Sequence, residues 1–192
     1  MSPGPSENVH IPLMVHVATV DGEPVVRRSR LMECIARANR ELRPHGVLLY
    51  LQGIDILPEG YGDVLQDGDR MDLARVAPAD NSLHVFFVHR VTVKLPRFGD
   101  RRVSGLHWEY HGARLSLRNR MYLVVASDAP DTTFVHEVGH AFGLDHRQRD
   151  KGNVMCSCDR TEDPRLDAAQ GRELRIRAHQ FNEERGNYDH PY

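Results

Sequence analysis

Three histidines and one glutamate in a short run carry the most specific chemistry in the sequence: residues 136 to 146 read His-Glu-Val-Gly-His-Ala-Phe-Gly-Leu-Asp-His. On an α-helix, positions four apart differ by about 40° around the axis and by one turn along it, so His136 and His140 would present their imidazoles to one point. Two ligands are then preformed for an ion such as Zn2+, which takes nitrogen or sulfur donors tetrahedrally at about 2.0 to 2.3 Å and in catalytic sites keeps one position for water. Gly143 can supply the third. Lacking Cβ, it takes positive φ readily, ends the helix and turns the chain back, so that His146 can reach the same ion. Glu137 is placed as general base, accepting a proton from a water activated by the metal and passing it to a departing amine. The expected reaction is zinc-dependent peptide-bond hydrolysis without a covalent intermediate.

These residues match the metzincin pattern His-Glu-x-x-His-x-x-Gly-x-x-His at every fixed position, and the chain resembles that family of zinc metallopeptidases. Gly152-Asn153-Val154-Met155 resembles the methionine turn that metzincins carry beneath the metal, which would make Met155 a structural floor and not a ligand. The resemblance implies an α+β fold: a twisted, mainly parallel sheet with an antiparallel edge strand and a backing helix, a central active-site helix, and a small C-terminal lobe with the methionine turn and a closing helix. It implies one catalytic domain over 1–192, with 1–143 as upper lobe and 144–192 as lower lobe, and an extended peptide bound along the edge strand. The motif match covers residues 133 to 155, and the remainder matches by arrangement. Ser157 stands where astacin-like and serralysin-like members have a tyrosine, and three cysteines cannot reproduce the archaemetzincin cluster. The chain is therefore matrixin-like at most, with no subfamily assigned. A zinc-dependent endopeptidase is the leading function; a non-catalytic zinc-binding interaction domain and a zinc hydrolase of a small amide are the rivals.

The elements that must position these residues are readable from hydrophobic periodicity. Val9 to Thr19, Val47 to Ile56, Leu83 to Val91 and Met121 to Ala126 are apolar, β-branched and aromatic runs of strand length. Leu31, Ile35, Ala38 and Leu42 repeat at helical spacing between Arg28 and Leu42, and Pro44 stops that helix. Val103 to Tyr110 reads as an edge strand whose His107 and Tyr110 belong to an ordinary surface. Asp131 is the expected N-cap of the motif helix, which ends at Gly143. Asp163-Pro164 is expected to open a last helix with Leu174, Ala178 and Phe181 on one face and Arg172, Arg175 and Arg177 solvated. Glu59 to Asn81, with a short helix near Met71 to Val76, and Arg97 to Arg102 read as surface loops, and Asp67-Gly68-Asp69 as a turn. The tail from Asp189 to Tyr192 is expected to fray.

Composition excludes several classes. At 192 residues, with 40% hydrophobic and 27% charged, the chain suits one globular domain. A formal charge of -2 gives no reason to expect nucleic acid, and no apolar run approaches the length needed to span a bilayer. A monomer with no membrane partner and no export signal is expected. Cys34, Cys156 and Cys158 are an odd number with one close pair, so they are expected to stay unpaired, which suits the cytoplasm. Cys34 falls on the core face of its helix pattern. His84, His89, His107 and His111 form no pattern of their own.

Overall fold

The computed structural model describes residues 8–64, 67–95, 99–158, 160–161 and 163–186. In chain order the elements are β1 (Val9–Val17), β2 (Thr19–Val20), β3 (Glu23–Pro24), α1 (Arg28–Leu42), β4 (Val47–Ile56), β5 (Asp63–Val64), α2 (Asp67–Val76), β6 (Leu83–Val88), β7 (Arg90–Leu95), β8 (Gly99–Val103), β9 (Gly105–Glu109), β10 (Met121–Ala126), α3 (Thr132–Ala141) and α4 (Ala168–Gly186). The main sheet runs in the order β4-β1-β6-β10-β9. Its first four strands are parallel, and β9 closes one edge antiparallel to β10. The fold is mixed α/β with a mostly parallel sheet.

Strand alternation assigns each side chain to one of two faces. Val15, Val85, Phe87 and Leu123 share the face on which α3 lies, with Phe134 of α3 against Phe87 and α1 alongside α3. His107 and Gly105 of β9 pair with Leu123 and Val125, so they belong to this same face. The opposite face carries His16, His84, Phe86, Tyr122 and Trp108, joined by ring contacts. Helix α1 buries Leu31, Cys34, Ile35, Ala38 and Leu42, as its periodicity requires. It also buries Glu41, whose carboxylate accepts from Arg165 Nη1 at 2.7 Å and from the Leu166 amide at 3.2 Å. That pair of bonds ties the first helix to the segment leading into the last one.

Several expectations need correction. The run from Leu83 to Val91 breaks at His89, after which β7 leaves the main sheet and pairs with β5 and β8. Arg97 to Arg102 is not a loop throughout: Gly99 to Val103 form β8, because alternating backbone pairs with β7 outweigh the low strand propensity of a charged run. The helix expected near Met71 begins earlier, at Asp67, where a turn was expected. Asp131 does not cap α3: it sits in the right-handed helical region and pairs instead with Arg30. The last helix starts at Ala168 and not at Pro164. Asp167 Oδ1 accepts from the Ala169 and Gln170 amides at 2.8 Å each, while Gln170 Oε1 accepts from the Asp167 amide at 2.9 Å, a reciprocal capping box. Leu174, Ala178 and Phe181 are buried as expected; Arg172 and Arg177 are exposed, but Arg175 is half-covered. The tail from Asp189 to Tyr192 lies outside the described residues. No described helix is long and apolar enough to cross a membrane.

Candidate metal centre

Helix α3 ends because Gly143 adopts φ +78°, and two bonds then close the terminus: the Gly143 amide donates to His140 O at 3.0 Å and the Leu144 amide to Gly139 O at 2.9 Å. This Schellman arrangement brings the Leu144 carbonyl back under the His140 ring. His140 Nδ1 donates to it at 2.9 Å, and His136 Nδ1 donates to Val154 O at 2.8 Å. Each ring therefore spends its proton on a carbonyl, which leaves Nε2 as a bare lone pair.

Those lone pairs converge with a third. His136 Nε2 lies 3.1 Å from His140 Nε2 and 3.2 Å from His146 Nε2, and His140 Nε2 lies 3.0 Å from His146 Nε2. With two of the three nitrogens bare acceptors, the triangle cannot be closed by hydrogen bonds. Nitrogen donors about 2.0 Å from a tetrahedral ion stand about 3.3 Å apart. The triangle thus has the dimensions of three corners of a zinc coordination shell, and among the described residues it is the one cluster of three or more candidate ligands. Burial holds His136 well below the ordinary imidazole range, at about 4, and lowers His140 for the same reason. Both rings stay neutral, as metal ligation requires.

Glu137 is buried beside the triangle, and burial pushes its carboxyl up to about 8 against the opposing pull of Arg160. A divalent cation held next to it would draw that value back down. A Cβ at position 105 would meet Glu137 Oε1 at 2.9 Å and Thr133 Cγ2 at 2.8 Å. Gly105, which weakens β9 as a strand, is therefore what allows the carboxylate to lie against the edge-strand backbone.

Below α3, Met155 is fully buried with its sulfur against Gly139, where a Cβ would collide with it. The turn that carries Met155 is pinned by Asn153. Its side-chain amide exchanges bonds with Gln170 at 2.8 and 3.1 Å, and its Oδ1 accepts from the Met155 amide at 2.9 Å. Gln170 thus serves the helix cap and this turn together, and the signal for it, Asp-Ala-Ala-Gln, was present in the sequence. The reading of Cys156 and Cys158 as unpaired is overturned: their sulfurs are bonded to each other across Ser157. The cysteine pattern consequently no longer argues for a reducing compartment. Cys34 is free and buried, as expected.

The triangle opens into a cleft of about 1230 Å³. Its walls include Gly105, Leu106 and His107 from β9, Arg101 and Arg102 from β8, and Ser157, Cys158 and Arg160 from beyond the methionine. His107 is accordingly not an ordinary surface residue: it faces α3, and burial holds its ring at about 4, with His140 adding to the effect. Sequence reasoning also missed Arg160, which carries no motif signal and reaches the site only through the fold.

Among solved structures the chain is similar to metalloproteinase-II from Bacteroides fragilis, with a TM-score of 0.58 and 13% identity over 90% of this chain and 55% of that one. The fold is a metalloproteinase fold. Promirolysin from Tannerella forsythia, in a mutant form, gives a TM-score of 0.58 at 14% identity, covering 95% of this chain and 83% of that chain. Mature mirolysin from the same organism, solved with a cleaved peptide, gives 0.54 at 13% identity, covering 93% and 99%. The chain spans little more than half of the Bacteroides protein. No protein-family model matches the sequence, and no curated protein matches it. At these identities the likeness establishes the metalloproteinase fold alone.

Proposed function

We propose that this protein is a zinc-dependent endopeptidase in which His136, His140 and His146 hold the metal, Glu137 is the general base, and residues 1–192 work as one catalytic unit. The observation that carries the reading is the triangle of three Nε2 atoms at zinc-shell spacing, two of them bare lone pairs, with a buried carboxyl beside it. The donor set fits zinc, being all nitrogen, with two rings locked in the ligating tautomer by carbonyls. When bound, the ion would act as a Lewis acid toward the scissile carbonyl and make water a better nucleophile.

The chain's own residues do the rest. Glu137 Oε1, held against the Gly105 backbone, takes the proton from the attacking water and delivers it to the leaving amine. The outer edge of β9, with no further strand beyond it in the sheet, can pair with an extended substrate backbone along the cleft. Met155 and the turn around it form a floor that fixes His136 through the Val154 carbonyl. An open cleft accommodates a polypeptide better than a small amide, and the mirolysin structure with a cleaved peptide is a metalloproteinase of this fold.

The test combines metal analysis with incubation on a diverse peptide mixture read by mass spectrometry. One equivalent of zinc and defined cleavage products are expected. Replacing Glu137 with Ala should leave zinc in place and lower turnover by about 10²- to 10⁴-fold. Turnover that survives the substitution removes Glu137 from its role; stoichiometric zinc with no cleavage points to a binding domain.

A further inference from the structure

Arg160 is a cation held half-buried in the catalytic cleft. Its Nε donates to Thr132 Oγ1 at 3.1 Å and its Nη1 to the Cys156 carbonyl at 2.9 Å. The His136 Nδ1 lies 3.1 Å from Nη1, but that nitrogen already donates to Val154, so the contact is a charge against an N–H edge and not a hydrogen bond. The guanidinium is therefore fixed in position by one helix residue and one turn carbonyl. Among the described residues its Nη2 has no hydrogen-bond partner and no carboxylate pairs with it.

Burying a guanidinium without a counter-charge costs free energy that a neutral side chain of similar size would not incur. Of the other charges lining the cleft, Arg102 pairs with Asp128, Arg37 with Asp163 and Asp131 with Arg30, while Arg101 and Asp145 have no ion-pair partner among the described residues. Glu137, the carboxyl that acts on Arg160 electrostatically, is committed to proton transfer. Arg160 is thus without a paired anion among the described residues, at a place where a substrate side chain would lie. Guanidinium donors recognise carboxylates with directional, charge-assisted bonds.

We propose that Arg160 is a specificity residue, which selects peptides carrying an aspartate or glutamate side chain next to the scissile bond. The proposal rests on the endopeptidase reading above. The competing role, a mere brace between α3 and the turn at Cys156, would affect stability or all substrates equally. It would not affect the ratio between an acidic substrate and its neutral isostere.

The experiment measures kcat/KM for peptide pairs that differ only by Glu against Gln at each position flanking the cut. For the zinc-loaded native sequence, one position should favour Glu by roughly tenfold to a hundredfold, the scale of one charge-assisted hydrogen bond. That ratio should fall as salt is raised. In Arg160→Gln it should approach unity, in Arg160→Lys it should be reduced but retained, and in Arg160→Glu it should shift toward Lys at the same position. Should the variants fail to fold, the ratio and its salt dependence in the unaltered chain still decide. Cleavage of neutral peptides with no acidic preference overturns this inference and leaves the endopeptidase standing, as does an acidic preference that survives Arg160→Gln. A zinc-loaded chain that cuts nothing in the library overturns both.

Discussion

Two histidine clusters sit on opposite faces of one sheet, and they are built by opposite rules. On the α3 face, His136 and His140 give their Nδ1 protons to carbonyls, so that two Nε2 lone pairs meet His146 Nε2 at one point. On the far face, His16 Nε2 lies 2.9 Å from His84 Nδ1, and His84 Nε2 lies 3.0 Å from Asp80 Oδ1. With His84 Nε2 donating to Asp80, its Nδ1 accepts from His16 Nε2, and protons and lone pairs alternate along a line. His16 Nδ1 is then a bare lone pair 3.5 Å from Asp55 Oδ2, which accounts for its lack of a hydrogen-bond partner. Burial keeps His136 and His140 neutral on one face and acts in the same way on the other, where His16 is held at about 4 and His84 is lowered for the same cause. What separates the candidate metal site from the structural pair is therefore the group that holds the second nitrogen of His136 and His140.

The contrast is broken most severely by zinc itself. Saturating zinc, at about a thousandfold over its dissociation constant, should stabilise the native chain by about 4 kcal/mol against unfolding. His140→Ala should abolish that gain, whereas His16→Leu should keep it, as read by calorimetry with and without chelator. Loss of the zinc shift in His16→Leu would contradict the separation of the two clusters.

Acid should act on both clusters in the absence of zinc. The folded-state values of His16, His84, His136 and His140 lie below the ordinary 6.5, so at these four rings the unfolded chain binds more protons between about pH 6.5 and 4. The contribution of these four rings is fully present above pH 6.5, declines as pH falls through that window and levels off below about 4, while Glu137, raised by burial to about 8, contributes in the opposite direction by taking up a proton in the folded chain. His16 alone is linked to roughly 3 kcal/mol of this decline. Urea unfolding at a series of pH values should show it, and zinc should remove the part due to His136. Because Glu137 works against this decline, the test is the difference between the native chain and His16→Leu, and equal pH dependence of the two between pH 6.5 and 4.5 would show that His16 is not held neutral by burial.

Mutating the structural pair should reveal its linear logic. His16→Leu leaves His84 without its donor inside the sheet and should cost about 1 to 3 kcal/mol. Adding His84→Leu should cost less than the second single change does on its own, because no unsatisfied nitrogen then remains. Strict additivity in chemical denaturation would indicate that the two rings do not depend on each other.

The smallest effect concerns the cap that supports the metal side from below. Asp167→Ala removes two bonds at the start of α4 and should lower stability by about 1 kcal/mol while sparing zinc affinity. Gln170→Ala differs in kind, since Gln170 also holds Asn153 under Met155. It should weaken zinc binding as well as stability, and equal zinc affinity in the two variants would detach the cap from the site.

Much of this was legible in the residues. The spacing of His136, His140, Gly143 and His146 determined a helix with two candidate ligands on one face, a left-handed stop and a third candidate past it, because each step is local backbone geometry. The bounds of α1, β4 and β10 followed from apolar periodicity for the same reason. The tertiary structure alone decided the rest. Whether Leu83 to Val91 is one strand or two depends on which sheet each half joins. That Arg160 enters the cleft, that His107 faces His140, and that His16 meets His84 across 68 positions of chain are contacts between segments remote in sequence. No local rule encodes such contacts: pairing of β1 with β6 sets His16 beside His84, packing of the sheet against α3 brings the others together, and their chemistry follows from who their neighbours are.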